Sequence, residues 1–140
     1  MSKIAPMTQP HELLHPHGWK QPKGFANGVA ARGRVVFLAG QVGWNAAQRF
    51  DSDDFVAQAR QALANIMALV GEAGGRPEHV TRLTWFVLDK KEYLSRLSEL
   101  GQAYRSVMGT HFPAMTLVQV AALVEDRAKV EIEATAVVPD

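Results

Sequence analysis

The sequence predicts an α+β protein with the element order β-β-α-β-α-β-β, a mixed sheet carrying two helices on one face. Three observations lead there. Residues 128–138 alternate cleanly: Val130, Ile132, Ala134, Ala136 and Val138 point one way, and Lys129, Glu131, Glu133, Thr135 and Val137 the other, which is the period-two signature of a strand with unlike faces. Phe55, Val56, Ala59, Leu63, Ile66, Met67 and Val70 recur at helical spacing, and so do Tyr93, Leu94, Leu97, Leu100, Tyr104, Val107 and Met108. Each helix therefore has a single apolar stripe, and two such stripes cover one face of a sheet and no more.

Taken in order, residues 1–23 hold four of the seven prolines and three of the five histidines, without periodicity. They read as an extended surface arm ahead of one domain over residues 24–140. His11, His15 and His17 could bind a metal, but nothing fixes their directions and no Asp lies in the arm to orient a ring, so they are expected to be solvated, with no metal site. Phe25 to Ala31 and Arg34 to Ala39 are short apolar runs around Arg32-Gly33, the pattern of a tight hairpin. The second run is apolar on both faces, as a central strand is, and Gly40-Gln41 ends it. Val42 to Phe50 reads as a loop in which Trp44 covers something. Ser52 is the expected N-cap of the first helix, with Asp53 and Asp54 in its first turn, and Gly74-Gly75 stops it. The β-branched and aromatic run from Val80 to Leu88 is a strand. Asp89 caps the second helix, with Glu92 three residues on, and Gly109 ends it. Met115–Leu123 and Ala128–Val138, separated by Glu125-Asp126-Arg127, read as a terminal hairpin. The sheet face away from the helices is expected to carry Leu117 and Val137 beside Glu131 and Glu133. A mixed apolar face of that extent calls for another chain.

Composition narrows the function classes. The 140 residues suit one domain, with 47% apolar and 21% charged residues, an ordinary globular balance. Net charge is +1 and the 15 basic residues are scattered, so no footprint for nucleic acid or an anionic membrane is visible. Without cysteine there is no thiolate chemistry. No long apolar core marks a signal peptide or spanning helix, so the expected location is cytoplasmic.

Several pieces in fixed order resemble the RidA family, also called YjgF or the L-PSP endoribonuclease-like family. They are Gly40-Gln41 after an apolar strand, AQARQALANIMALVGEAGG on the first helix, TRLTWFVLD, FPA, and VEIEA followed by more strand. They cover most of the chain from Gly24 to Val138. The resemblance implies a chorismate-mutase-like fold, a homotrimer with three clefts between subunits, no cofactor, and hydrolysis of reactive imines and enamines to carbonyl compounds and ammonia. It also implies a site. Glu131 matches the family's pocket glutamate and is the expected catalytic residue. Phe25, Gly40, Gln41, Trp44, Pro113, Ala114, Met115 and Arg127 are the expected binding residues.

The chain departs from the pattern where active members read Pro-Ala-Arg and it reads Pro113-Ala114-Met115. That arginine resembles a bidentate clamp for a substrate carboxylate, and Met115 has neither charge nor donor. Phe25 stands for the family's tyrosine and Ala39 for its serine. Arg105 or Arg127 could return the charge from another direction. The expected function is small-molecule binding at an inter-subunit cleft, with imine or enamine hydrolysis of altered substrate choice. The alternative is a non-catalytic binding homologue, and an endoribonuclease or translation inhibitor ranks last. Met115 as plain core packing and Glu131 as a solvated or subunit-facing carboxylate are the structural counterparts of these assignments.

Overall fold

The structure, a computed structural model, describes residues 10–140. Its elements are β1 (Glu12–Leu14), β2 (Gly28–Ala30), β3 (Arg34–Val42), α1 (Phe55–Glu72), β4 (Val80–Val87), α2 (Lys90–Ser95), α3 (Leu97–Met108), β5 (Ala114–Gln119) and β6 (Val130–Val138). The main sheet runs in the order β3-β6-β4-β5. β6 is antiparallel to both β3 and β4, whereas β5 lies parallel to β4 at the edge. α1 lies against β3 and β6, and α3 packs on α1. The mixed sheet with its helices on one face is as the alternation and the two stripes require.

β6 shows how the pattern becomes architecture. Val130, Ile132, Ala134 and Ala136 are buried in the core with Leu83, Trp85 and Val87 of β4 and Leu38 of β3. Glu131, opposite Phe86 in the register, must then face the other way. α1 adds Phe55, Ala59, Ala62, Leu63, Ile66 and Val70 to the core, and burying each large aliphatic chain contributes about 1.5–3 kcal/mol. Among the described residues, no helix is long and apolar enough to cross a membrane.

Several expectations are corrected, among them the central place of the second apolar run: β3 is an edge strand. Met115–Leu123 and Ala128–Val138 do not form a hairpin: β5 ends at Gln119, and residues 120–129 carry the chain past β4 so that β6 inserts between β3 and β4. The apolar tail of the first run lies in that connection, with Val124 93% exposed. Nor do Phe25–Ala31 and Arg34–Ala39 pair with each other; β2 pairs antiparallel with β1, inside the arm that lacked periodicity. Three residues are too few for a period-two signal to register. His11 is accordingly not solvated: it is buried, and its Nε2 donates to the Val137 carbonyl at 3.0 Å. Leu117 lies on the helix side of the sheet, opposite Trp85 in the parallel register and packed on the core.

The last correction concerns helix ends. The N-cap of α1 is Asp54, whose carboxylate accepts from the Ala57 N–H at 3.0 Å, and Ser52 caps nothing in the helix but holds the Asp54 N–H. The second helix breaks at Arg96, where φ is −124°. There the guanidinium binds Asp54 at 2.6 Å and Glu99 at 2.8 Å, tying the break to the start of α1. Asp89 is the N-cap of α2 as expected, accepting from the N–H groups of Lys91 and Glu92. Leu94 and Leu97, read as part of a buried stripe, are exposed, and the buried residues of α3 are Leu100, Ala103, Tyr104 and Met108.

A hydrogen-bonded relay locks α3 to the sheet. The Tyr104 hydroxyl donates to the His111 carbonyl at 2.6 Å, and His111 Nε2 donates to the Val80 carbonyl at 2.7 Å. Burial pushes the His111 imidazole below its ordinary pKa, more than the Val80 hydrogen bond raises it. The unfolded chain therefore binds this proton more readily, and stability is full above the ordinary imidazole pKa and falls as pH drops through the folded value. We predict that melting temperature declines between about pH 7 and pH 5, and that His111→Gln, which keeps a donor but does not titrate, flattens that decline. An unchanged slope in the variant would contradict the assignment.

Candidate functional site

The helix side of the sheet does not close completely. Between α2–α3 and the β4–β5 edge lies a cavity of about 390 Å³. Phe25 reaches it because the neighbouring Ala26 bridges to Ala114 and donates its N–H to the Pro113 carbonyl at 2.9 Å, which fastens this segment beside β5. Met115 and Leu117 bring the floor, Trp85 the adjoining wall from β4, and Tyr93, Leu100 and Tyr104 the helical side. Tyr104 stacks on Phe112 with ring centroids 5.0 Å apart and planes 11° from parallel. Burial holds the Tyr104 phenol above the usual range, so it remains a neutral donor.

Gly40, Gln41 and Glu131 sit elsewhere. Gly40 and Glu131 occupy the opposite, uncovered face, where the register shift between Leu38 and Gln41 bulges β3 around residues 39 and 40, and Gln41 pairs with Ile132 just past the bulge. The Glu131 carboxylate lies directly over Gly40, and a Cβ at that position would collide with its Oε2 and stand 2.9 Å from its Cδ. Glycine is needed here for space. Gln41 Nε2 donates to the Ala39 carbonyl at 3.1 Å and so stays with the bulge. Among the described residues, the Glu131 carboxylate has no ion-pair partner.

Trp44 and Arg127 form a third group. Trp44 packs on Phe50, with ring centroids 5.8 Å apart, and its carbonyl accepts from Asn65 Nδ2 at 2.8 Å. Arg127 lies over the same Phe50 ring at 5.5 Å and binds Asp53 at 2.8 Å. Trp44 belongs to the connection from β3 to α1, Arg127 reaches that connection from the segment between β5 and β6, and neither lines the cavity. Of the two arginines weighed as replacements at position 115, Arg105 lines the cavity and Arg127 is committed to Asp53.

One chain therefore does not bring the nine expected site residues together. Phe25 and Met115 line the cavity, Pro113 and Ala114 adjoin them in the chain without lining it, and Gly40 and Glu131 lie behind the sheet. Sequence reasoning passed over Trp85, Tyr93, Tyr104 and Phe112 as wall residues. Their one signal is an excess of aromatic side chains on and beside the second helical stripe. Among the described residues, no group of three or more His, Cys, Asp or Glu could hold a metal ion.

Fold and site define an α+β protein with an aromatic cavity under its helices and a carboxylate on the bare face of its mixed sheet. The profile of the family described as Endoribonuclease L-PSP matches residues 20–138. The chain is 35% identical over 105 residues to a RutC family protein of Haemophilus influenzae, covering 75% of this chain and 80% of that one. It is 34% identical over 105 residues to the 2-iminobutanoate/2-iminopropanoate deaminase of Escherichia coli (strain K12), with 75% and 80% covered. The solved structure of YyfB from Yersinia pestis, a Rid family protein described as of unknown function, matches with a TM-score of 0.82 at 30% identity, covering 93% of this chain and 100% of that one. The chain belongs to the L-PSP endoribonuclease-like family, which is the RidA/YjgF family of the sequence reading.

The contact between Gly40 and Glu131 yields a prediction by double-mutant cycle. Gly40→Ala should lower the melting temperature while Glu131 is present, and the loss should largely vanish in the Glu131→Ala background, where the colliding atoms are gone. An equal loss in both backgrounds would show that backbone conformation, and not this contact, demands the glycine.

Proposed function

We propose that two copies of this chain complete one small-molecule cleft, the cavity of one copy facing Glu131 of the next, and that the cleft hydrolyses an imine or enamine. The observation that carries this reading is that Met115 and Glu131 lie on opposite faces of a single sheet, so that only a second chain can close the distance between them. The bare face favours such a partner. Phe37 is 81% exposed and Val35 is exposed two residues before it on β3, while Val118 is exposed across the sheet on β5, apolar surface of the kind that other chains cover. Cyclic closure of this heterologous contact gives the trimer expected from the sequence.

The chemistry needs no metal. An imine carbon is already electrophilic, and a carboxylate beside a bound water serves as general base, worth about 10²-fold or more. Glu131 takes a proton from water as the oxygen attacks the carbon. From the protonated imine this gives a neutral carbinolamine, which takes up that proton on nitrogen; ammonia then leaves while the hydroxyl proton passes to the Glu131 carboxylate and the carbonyl forms. The relatives named as 2-iminobutanoate/2-iminopropanoate deaminases support this reaction class for the chain. The replacement of the family's arginine by Met115 supports altered substrate choice, since a carboxylate lying against position 115 keeps its desolvation cost and gains no ion pair there.

Light scattering at micromolar concentration should report a trimer, and a stable monomer would sink the shared cleft. With 2-iminopropanoate generated in situ by an amino-acid oxidase, hydrolysis should be slow and should rise on Met115→Arg, by up to about 10–150-fold for a charged hydrogen bond. Glu131→Ala should abolish it with the trimer intact. Ligand binding without turnover of any imine would instead favour a non-catalytic binding homologue, a reading that the loss of the arginine also supports.

A further inference from the structure

We infer that the cleft accepts an acid with an aromatic or large branched side chain, and that Arg105 on α3, helped by Lys23 of the N-terminal arm, binds its carboxylate. This rests on the cleft proposed above and adds to it the class of substrate and the residues that select it.

Volume is the first argument. The cavity measures about 390 Å³, within the range of about 300–1,000 Å³ found for pockets that enclose drug-sized ligands. An imino acid of three or four carbons would leave most of it unfilled, and its apolar lining would then lack contacting atoms. The second argument is the wall. Phe25, Trp85, Leu100, Tyr104, Phe112 and Met115 present aromatic and aliphatic surface from five separate segments. Aromatic rings gain from edge-to-face or offset contact with such walls, beyond the area they bury. Met115 belongs to this wall as an adaptable apolar contact, so the residue that removed the family's cation also enlarged the space for a side chain.

Charge is the third and most selective argument. Two cations, Lys23 and Arg105, line the cavity, and no Asp or Glu does. Arg105 is exposed and has no ion-pair partner among the described residues. Its guanidinium lies back along α3 over Gly101, where a Cβ would stand 3.2 Å from Nη1. Gly101, itself part of the lining, thus leaves room for the guanidinium at the cavity wall. A planar fork with free donors suits a carboxylate. Finally, the Trp85 indole N–H is buried and finds no acceptor among the described residues. A buried donor left open costs about 1–3 kcal/mol, and a carbonyl oxygen or imine nitrogen of a bound ligand would relieve it.

The test is isothermal calorimetry on the purified full-length protein with two stable 2-oxo acids, phenylpyruvate and pyruvate, which stand in for the products of the corresponding imino acids. Phenylpyruvate should bind at least tenfold tighter than pyruvate. Arg105→Gln should weaken it about 10-fold or more, Lys23→Gln should weaken it less, and both variants should keep the wild-type circular dichroism, since both side chains lie outside the packed core. 2-Phenylethanol, which has the ring without the acid, should bind weakly and equally to wild type and Arg105→Gln. Pyruvate binding as tight as phenylpyruvate, or phenylpyruvate binding unaffected by Arg105→Gln, would overturn this inference and leave the cleft itself standing. Failure of both acids to bind, together with no hydrolysis of any imine, would overturn the cleft as well.

Discussion

Everything in this molecule follows from β6 being paired on both edges. With β3 on one side and β4 on the other, the strand cannot twist away or exchange faces, and a slip of one residue would drive Glu131 and Glu133 into the core. The register therefore fixes two environments. Val130, Ile132, Ala134 and Ala136 complete the core under α1, and Glu131 is held on the far face against the Gly40 bulge. The same constraint places β5 at the sheet edge beside β4, where Met115 and Leu117 can line a cavity instead of being sealed beneath α1.

Much of this was legible in the residues. The alternation of 130–138 gave the two-faced strand, and the spacing from Phe55 to Val70 gave α1, because both patterns are long enough to sample their period several times. The pairing partners of β6 were not legible. Two apolar runs with a short charged break look like a hairpin, and the information that Val120–Val124 stays in the connection is not in the hydropathy of those residues. The break at Arg96 escaped for a related reason. It depends on Asp54, forty-two positions away, and helical spacing on either side of the break continues almost undisturbed.

The candidate site was legible as residue identities and illegible as geometry. Glu131, Gly40, Phe25 and Met115 were marked by their place in the family pattern, and the sequence carries no sign that the sheet separates the first two from the last two. Tyr93, Leu100 and Tyr104 read as a core stripe because a cavity wall and a core are lined by the same side chains. The difference is whether opposing elements fill the space between them, and that is decided by how far α3 stands from β4 and β5.

The central claim is that cavity and carboxylate meet only between copies. Subunit complementation tests it most directly. Glu131→Ala keeps the cavity and loses the carboxylate, whereas Met115→Trp blocks the cavity and keeps the carboxylate. Each variant alone should be inactive towards an imine that the wild type hydrolyses. Unfolded together and refolded as a mixture, they should recover about a quarter of wild-type activity, the share of clefts that random cyclic assembly leaves intact. A mixture no more active than its components, in assemblies shown by mass spectrometry to contain both chains, would contradict the shared site.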